Sequence, residues 1–131
     1  MVDGNRSNRI LVVDDDTCGL GLLKLFLQTQ GFEVSTAVNI TEAIRAAEDH
    51  SISAIVSDLS LKDESGLDLM REIRKRSVVP GIALSGYSGP EHREESREAG
   101  FAEHLSKPVD LEVLLETLRR VIPSTDQPPA Q

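Results

Sequence analysis

The sequence predicts an α/β fold in which five parallel strands alternate with five helices. Three observations carry this reading. Short β-branched or aliphatic runs alternate with longer stretches of helical period between about residues 9 and 122. The first run, Ile10 to Val13, is apolar at every position, as a strand buried on both faces requires. Four of the five runs stop at a carboxylate, a hydroxyl or a lysine, and open α/β sheets bind ligands at those carboxyl ends.

Ile10 to Val13 ends at Asp14, Asp15 and Asp16. Leu20, Leu23 and Leu27, with Leu22 and Phe26 beside them, follow a period near 3.6 and predict a helix that Gly31 stops. Phe32 to Ala37 is the second strand. Asn39 and Glu42 have the spacing of a capping box, which opens a helix through about Asp49. Ile52 to Ser57 is the third strand, ending at Asp58. LSLKDESG reads as a loop into a helix with Leu67, Met70 and Ile73 on one face, closed by the basic residues of REIRKR. Gly81 to Leu84 is a short fourth strand ending at Ser85. Pro90 suits the first turn of a fourth helix, but EHREESREAG offers almost no apolar face, so this helix is expected to be loosely held. Phe101 to Ser106 is the fifth strand, ending at Lys107 and Pro108. Asp110 then caps a helix whose Leu111, Leu114, Leu115, Leu118 and Ile122 form a stripe. Right-handed crossovers joining these units give a flavodoxin-like, three-layer doubly wound (βα)5 fold with strand order 2-1-3-4-5.

A chain of 131 residues suits a single domain that holds its core without staples. Residues 1 to 8 and the Pro-rich residues 123 to 131 read as flexible tails on a domain spanning 9 to 122. Fourteen Lys plus Arg against 22 Asp plus Glu leave a net charge of -8, which argues against a nucleic-acid backbone as partner. With no Trp and one Tyr, little aromatic surface is on offer to stack a base or a flavin. No apolar run approaches the roughly 18 residues of a membrane span, and MVDGNRSN lacks the apolar core of a signal peptide. The lone Cys18 rules out an intramolecular disulfide and fits a reducing compartment, so a cytoplasmic location without a membrane partner is expected.

In strand order 2-1-3-4-5 the first and third strands are neighbours, which brings Asp14 and Asp15 opposite Asp58. Clustered carboxylates repel one another, and a hard divalent cation relieves the conflict. Magnesium, or manganese in its place, suits such a site because it keeps waters that a phosphoryl group can replace. Ser85 and Lys107 flank the crevice, and Lys107 brings a mobile point charge for the same anion. Asp58 is the natural nucleophile, since a carboxylate can form an acyl phosphate once its charge is offset. Each feature alone has a plainer reading. Asp16 capping a helix accounts for the acidic triplet, Ser85 for a turn, Cys18 for a small helix residue, and the charged run for a solvated face.

Taken together, RILVVDDD, SDLSLKDESG with Gly66 eight residues after Asp58, ALSG and HLSKP occur in order at strand ends. Over roughly residues 9 to 122 the chain resembles the receiver domain of two-component response regulators. That resemblance implies a phosphoacceptor at Asp58 and a metal held by Asp14, Asp15, Asp58 and the backbone carbonyl of Ser60. It places the switch hydroxyl at Ser85, the phosphate-sensing lysine at Lys107 and a cis peptide before Pro108. The implied donor is a histidine kinase or histidine phosphotransfer protein. The implied activity is magnesium-dependent self-phosphorylation and dephosphorylation, not enzymatic turnover. A downstream protein would dock on the face of the fourth helix, fifth strand and fifth helix.

His104 stands where the family often has its switch aromatic, and the resemblance implies that it turns inward once Asp58 is phosphorylated, burial then favouring the neutral ring. Leu61 and Lys62 replace the common Met-Pro, so a more mobile loop is expected. Ser60 and Tyr87 occupy the positions that tune phosphoryl lifetime in the family. ALSGY, AGF and HLSKPVDLE resemble receivers of hybrid histidine kinases and fit single-domain regulators as well. The rival pattern, that of a haloacid-dehalogenase-like phosphatase, fits Asp14 and Asp16 but finds Cys18 where it needs Thr or Val.

Overall fold

The structure is a computed structural model that describes residues 8–49, 51–86 and 89–122. The expected tails, apart from Asn8, and Tyr87 lie outside the described residues. Strand β1 (Arg9–Val13) leads into α1 (Thr17–Thr29), β2 (Glu33–Ala37), α2 (Ile40–Ala47) and β3 (Ile52–Asp58). A small antiparallel hairpin follows, β4 (Ser60–Leu61) with β5 (Glu64–Ser65). The chain continues as α3 (Gly66–Arg74), β6 (Gly81–Ser85), α4 (Pro90–Ala99), β7 (Glu103–Ser106) and α5 (Leu111–Val121). The main sheet is parallel in the order β2-β1-β3-β6-β7, which is 2-1-3-4-5 once the hairpin is set aside.

Alternation along the strands explains the three layers, because successive side chains point to opposite faces. Ile10 and Val12 of β1, Ala54 and Val56 of β3, and Ile82 and Leu84 of β6 pack with Leu20 and Leu27 of α1 and Leu114 and Leu118 of α5. Leu11 and Val13, Ile55 and Ala83 face the other way, onto Ala43 of α2, Leu69, Met70 and Ile73 of α3 and Ala99 of α4. The uninterrupted apolar run of β1 therefore serves two cores at once. Among the described residues, no helix is long and apolar enough to cross a membrane.

Several boundaries differ from the sequence reading. Phe32 and Phe101 were expected to begin strands, but their N–H groups donate to Leu27 O at 3.1 Å and Ser96 O at 3.0 Å. They close the C-terminal turns of α1 and α4 after the left-handed Gly31 (φ 95°) and Gly100 (φ 117°), a Schellman arrangement. Leu22 and Leu111, assigned to apolar faces, are 69% and 39% exposed. The segment read as a loop after Asp58 contains the β4–β5 hairpin, whose Leu61 is buried. On α4, among the described side chains, Ser96 and Ala99 are the buried ones, in line with its poor apolar face. The helix end is covered by the Arg74 side chain, which lies against Gly100 and donates to Val79 O.

Candidate functional site

The β1 and β3 registers pair Val13 with Ser57, so Asp14 and Asp58 leave the sheet side by side. Asp14 and Asp58 are buried, at 7% and 5% exposed, and Asp15 is half-buried. One carboxylate oxygen from each of Asp14, Asp15 and Asp58 lies within 4.8 Å of the other two. Such an all-oxygen cluster can hold a hard cation.

Local backbone fixes the carboxylates of Asp14 and Asp58. Asp14 Oδ1 accepts from Asp16 N at 2.9 Å, and Asp16 in turn caps α1 by accepting from Cys18 N at 3.1 Å. Asp58 Oδ1 accepts from Ser60 N at 3.0 Å, while Lys107 Nζ donates to Asp58 Oδ2 at 2.6 Å. Lys107 follows β7 directly. Its own N–H donates to Ser85 O at 2.8 Å, and the Lys107–Pro108 peptide is cis. Ser85 ends β6, is 5% exposed and pairs in register with Ser106. Asp14, Asp15, Asp58, Ser60 and Lys107 thus converge, with Ser85 on the adjoining strand end.

His104 is placed differently. It is in register with Ala83 of β6 and is already buried, at 7% exposed, with Nδ1 3.0 Å from Ser96 Oγ of α4. Ser96 Oγ also lies 3.0 Å from Arg93 O, to which it donates. In this structure α4 thus supplies a buried polar partner for the ring. Sequence reasoning missed Ser96: it sits in a charged run, and only the packing of α4 on β7 buries it. Cys18 is exposed at the start of α1.

Burial raises the pKa of Asp14 above its ordinary 3.8, the hydrogen bond from Asp16 N opposes this, and the neighbouring Asp58 charge raises it further. A carboxylate whose folded-state pKa is raised binds its proton more tightly when folded, so stability falls as pH climbs from 3.8 through the raised value. Ionised Asp14 consequently works against the metal-free fold at neutral pH. Asp14→Asn retains an acceptor for Asp16 N and is expected to stabilise the metal-free protein by about 0.5–2 kcal/mol at pH 7. Denaturant unfolding at pH 7 and at pH 3 checks this: the gain should be present at pH 7 and shrink at pH 3, and an unchanged or lowered stability at pH 7 would contradict it.

The sequence model of one family, described as Response regulator receiver domain, matches residues 10–119. The transcriptional regulatory protein PrrA of Mycobacterium tuberculosis is 38% identical over 122 residues, covering 92% of this chain and 51% of PrrA. The chain thus spans about half the length of that regulator. The chemotaxis protein CheY4 of Vibrio cholerae superposes with a TM-score of 0.84 at 30% identity, over 88% of this chain and 99% of CheY4. A response regulator of Burkholderia pseudomallei, whose structure holds a phosphorylated aspartic acid, a calcium ion and citrate, superposes with a TM-score of 0.80 at 28% identity, over 86% of this chain and 66% of its own. The chain belongs to the response regulator receiver domain family of two-component signalling.

Proposed function

We propose that this domain accepts a phosphoryl group on Asp58 from a phosphohistidine of a histidine kinase or histidine phosphotransfer protein, or from a small acyl phosphate. The observation that carries this reading is Lys107 Nζ at 2.6 Å from Oδ2 of an Asp58 that is 5% exposed and lies within the three-carboxylate cluster. The phosphorylated aspartic acid of the Burkholderia relative supports it.

In the transfer, an Asp58 carboxylate oxygen forms a bond to phosphorus. The bond from phosphorus to the donor's imidazole nitrogen or acyl oxygen breaks, and its electron pair leaves with the donor. Ser60 N–H fixes Oδ1, which leaves the carboxylate one orientation. Lys107 Nζ begins on the carboxylate and can follow the negative charge onto a phosphoryl oxygen. Asp14, Asp15, Asp58 and the Ser60 carbonyl would hold magnesium, or manganese; burial first, and the neighbouring Asp58 charge after it, disfavour an ionised Asp14, a cost that such an ion would relieve. A bound divalent ion supplies charge neutralisation for the carboxylates and the phosphoryl oxygens.

Ser85, at the adjoining strand end, would then donate its hydroxyl to the phosphoryl group, a charge-assisted bond that exists only in the phosphorylated state. His104 and Ser96 would relay the change to the α4, β7 and α5 face, where a downstream protein docks. The domain would extend over residues 9 to 122, act in the cytoplasm and catalyse only its own phosphorylation and dephosphorylation.

Isotope transfer from labelled acetyl phosphate tests the reading. Label should accumulate in magnesium and fall at least ~100-fold with a chelator, given the several kcal/mol of charge stabilisation a bound ion supplies. Chelator-insensitive labelling would overturn the metal-assisted route. Sustained hydrolysis of an aryl phosphate would favour a phosphatase instead.

A further inference from the structure

We propose that Glu64 is a positioning residue for the phosphoacceptor: by accepting from the first N–H of α2 it clamps the β4–β5 hairpin, and with it Ser60, onto the body of the domain. This rests on the reading of Asp58 as the acceptor. Glu64 Oε1 accepts from Ile40 N at 2.9 Å, a contact across 24 positions of sequence.

The local capping of α2 is already supplied by its own segment. Asn39 Oδ1 accepts from Glu42 N at 2.8 Å, and Glu42 Oε1 accepts from Val38 N at 3.0 Å. Glu64 takes a further N-terminal donor, where the helix dipole favours a carboxylate. What the bond adds is therefore a tie between two segments.

From Glu64 the connection to the acceptor is short. Glu64 pairs with Leu61 and Ser65 with Ser60 across the hairpin. Ser60 N then donates to Asp58 Oδ1 at 3.0 Å. Gly66 N donates to Leu59 O at 2.9 Å, closing the base of the same hairpin. A ladder of two residue pairs is too short to hold itself in water, and Lys62 and Asp63 at its turn are exposed. Buried Leu61 anchors one strand, and Glu64 anchors the other. No proline stiffens residues 59 to 65, so the tertiary tie carries that task.

Amide hydrogen exchange and acetyl phosphate kinetics on the whole chain test this with Glu64→Ala and Glu64→Gln. Glu64→Ala should speed exchange at Ile40, Ser60 and Gly66 about 10-fold, as expected for loss of one charge-assisted bond. It should slow phosphorylation of Asp58 roughly 3- to 10-fold through lost orientation. Glu64→Gln, which keeps an acceptor oxygen, should recover most of both effects. Asn39→Ala is the control: it weakens the α2 cap but should leave Ser60, Gly66 and the phosphorylation rate unchanged. If Glu64→Ala alters Ile40 alone, Glu64 is an outer helix cap and the proposal is overturned. If the parent protein takes no label, the acceptor reading fails, while exchange at Ser60 and Gly66 still decides whether the clamp exists.

Discussion

Asp58→Asn is expected to abolish acid-labile and hydroxylamine-labile phosphate on this domain while leaving it folded. An amide is not a nucleophile toward phosphorus, so the loss should be complete. The fold should hold because Asn Oδ1 can still accept from Ser60 N, and because removing one negative charge from the Asp14, Asp15 and Asp58 cluster offsets the lost partner of Lys107. A change in unfolding free energy within about 1 kcal/mol follows. Labelling with acetyl phosphate alongside thermal unfolding checks both halves, and undiminished labelling of Asp58→Asn would move the acceptor elsewhere.

Gly66→Ala should damage both the fold and the site. A Cβ built on Gly66 would lie 2.4 Å from Asp58 O and 3.0 Å from Leu59 Cα, both backbone atoms that a rotamer change cannot move. Relief requires shifting either the start of α3 or the end of β3, an overpacking penalty of about 1–3 kcal/mol. Either shift disturbs Asp58, so slower phosphorylation should accompany the loss. Gly21→Ala on the exposed side of α1 is the matched control: its Cβ meets nothing within 4 Å, and relief of glycine's backbone entropy should stabilise the helix by about 0.5–1 kcal/mol. Thermal unfolding of the two variants should move in opposite directions. A Gly66→Ala protein as stable as the parent would refute the close-approach explanation.

The sequence made legible what depends on periodicity and chain order. Ile10 to Val13 reads as doubly buried because all its residues are apolar, and the alternation of runs then places Asp14, Asp58, Ser85 and Lys107 at strand ends facing one crevice. The β4–β5 hairpin was not legible, since strands of two residues carry no period and Glu64 reaches its partner across 24 positions. The Ser96–His104 contact was hidden for a related reason: a serine among charges gives no sign of burial until α4 is set on β7. Phe32 and Phe101 misled because an aromatic packed beside a strand looks like part of it, whereas the N–H of each completes a helix end. Leu22 and Leu111 show the complementary error: Leu22 lies one position off the helix's apolar face, and Leu111 has the stripe's spacing but sits in the first turn of α5, where it is left partly in solvent.

The most direct test of phosphoryl acceptance is chemical localisation of the modified residue. The protein is treated with acetyl phosphate and magnesium, then with sodium borohydride, which reduces an aspartyl phosphate to homoserine, and the peptides are sequenced by mass spectrometry. Homoserine at position 58, absent when magnesium is chelated, is the expected result. Homoserine at Asp14 or Asp15, or phosphate retained on a serine with Asp58 intact, would contradict the assignment of Asp58 as the acceptor.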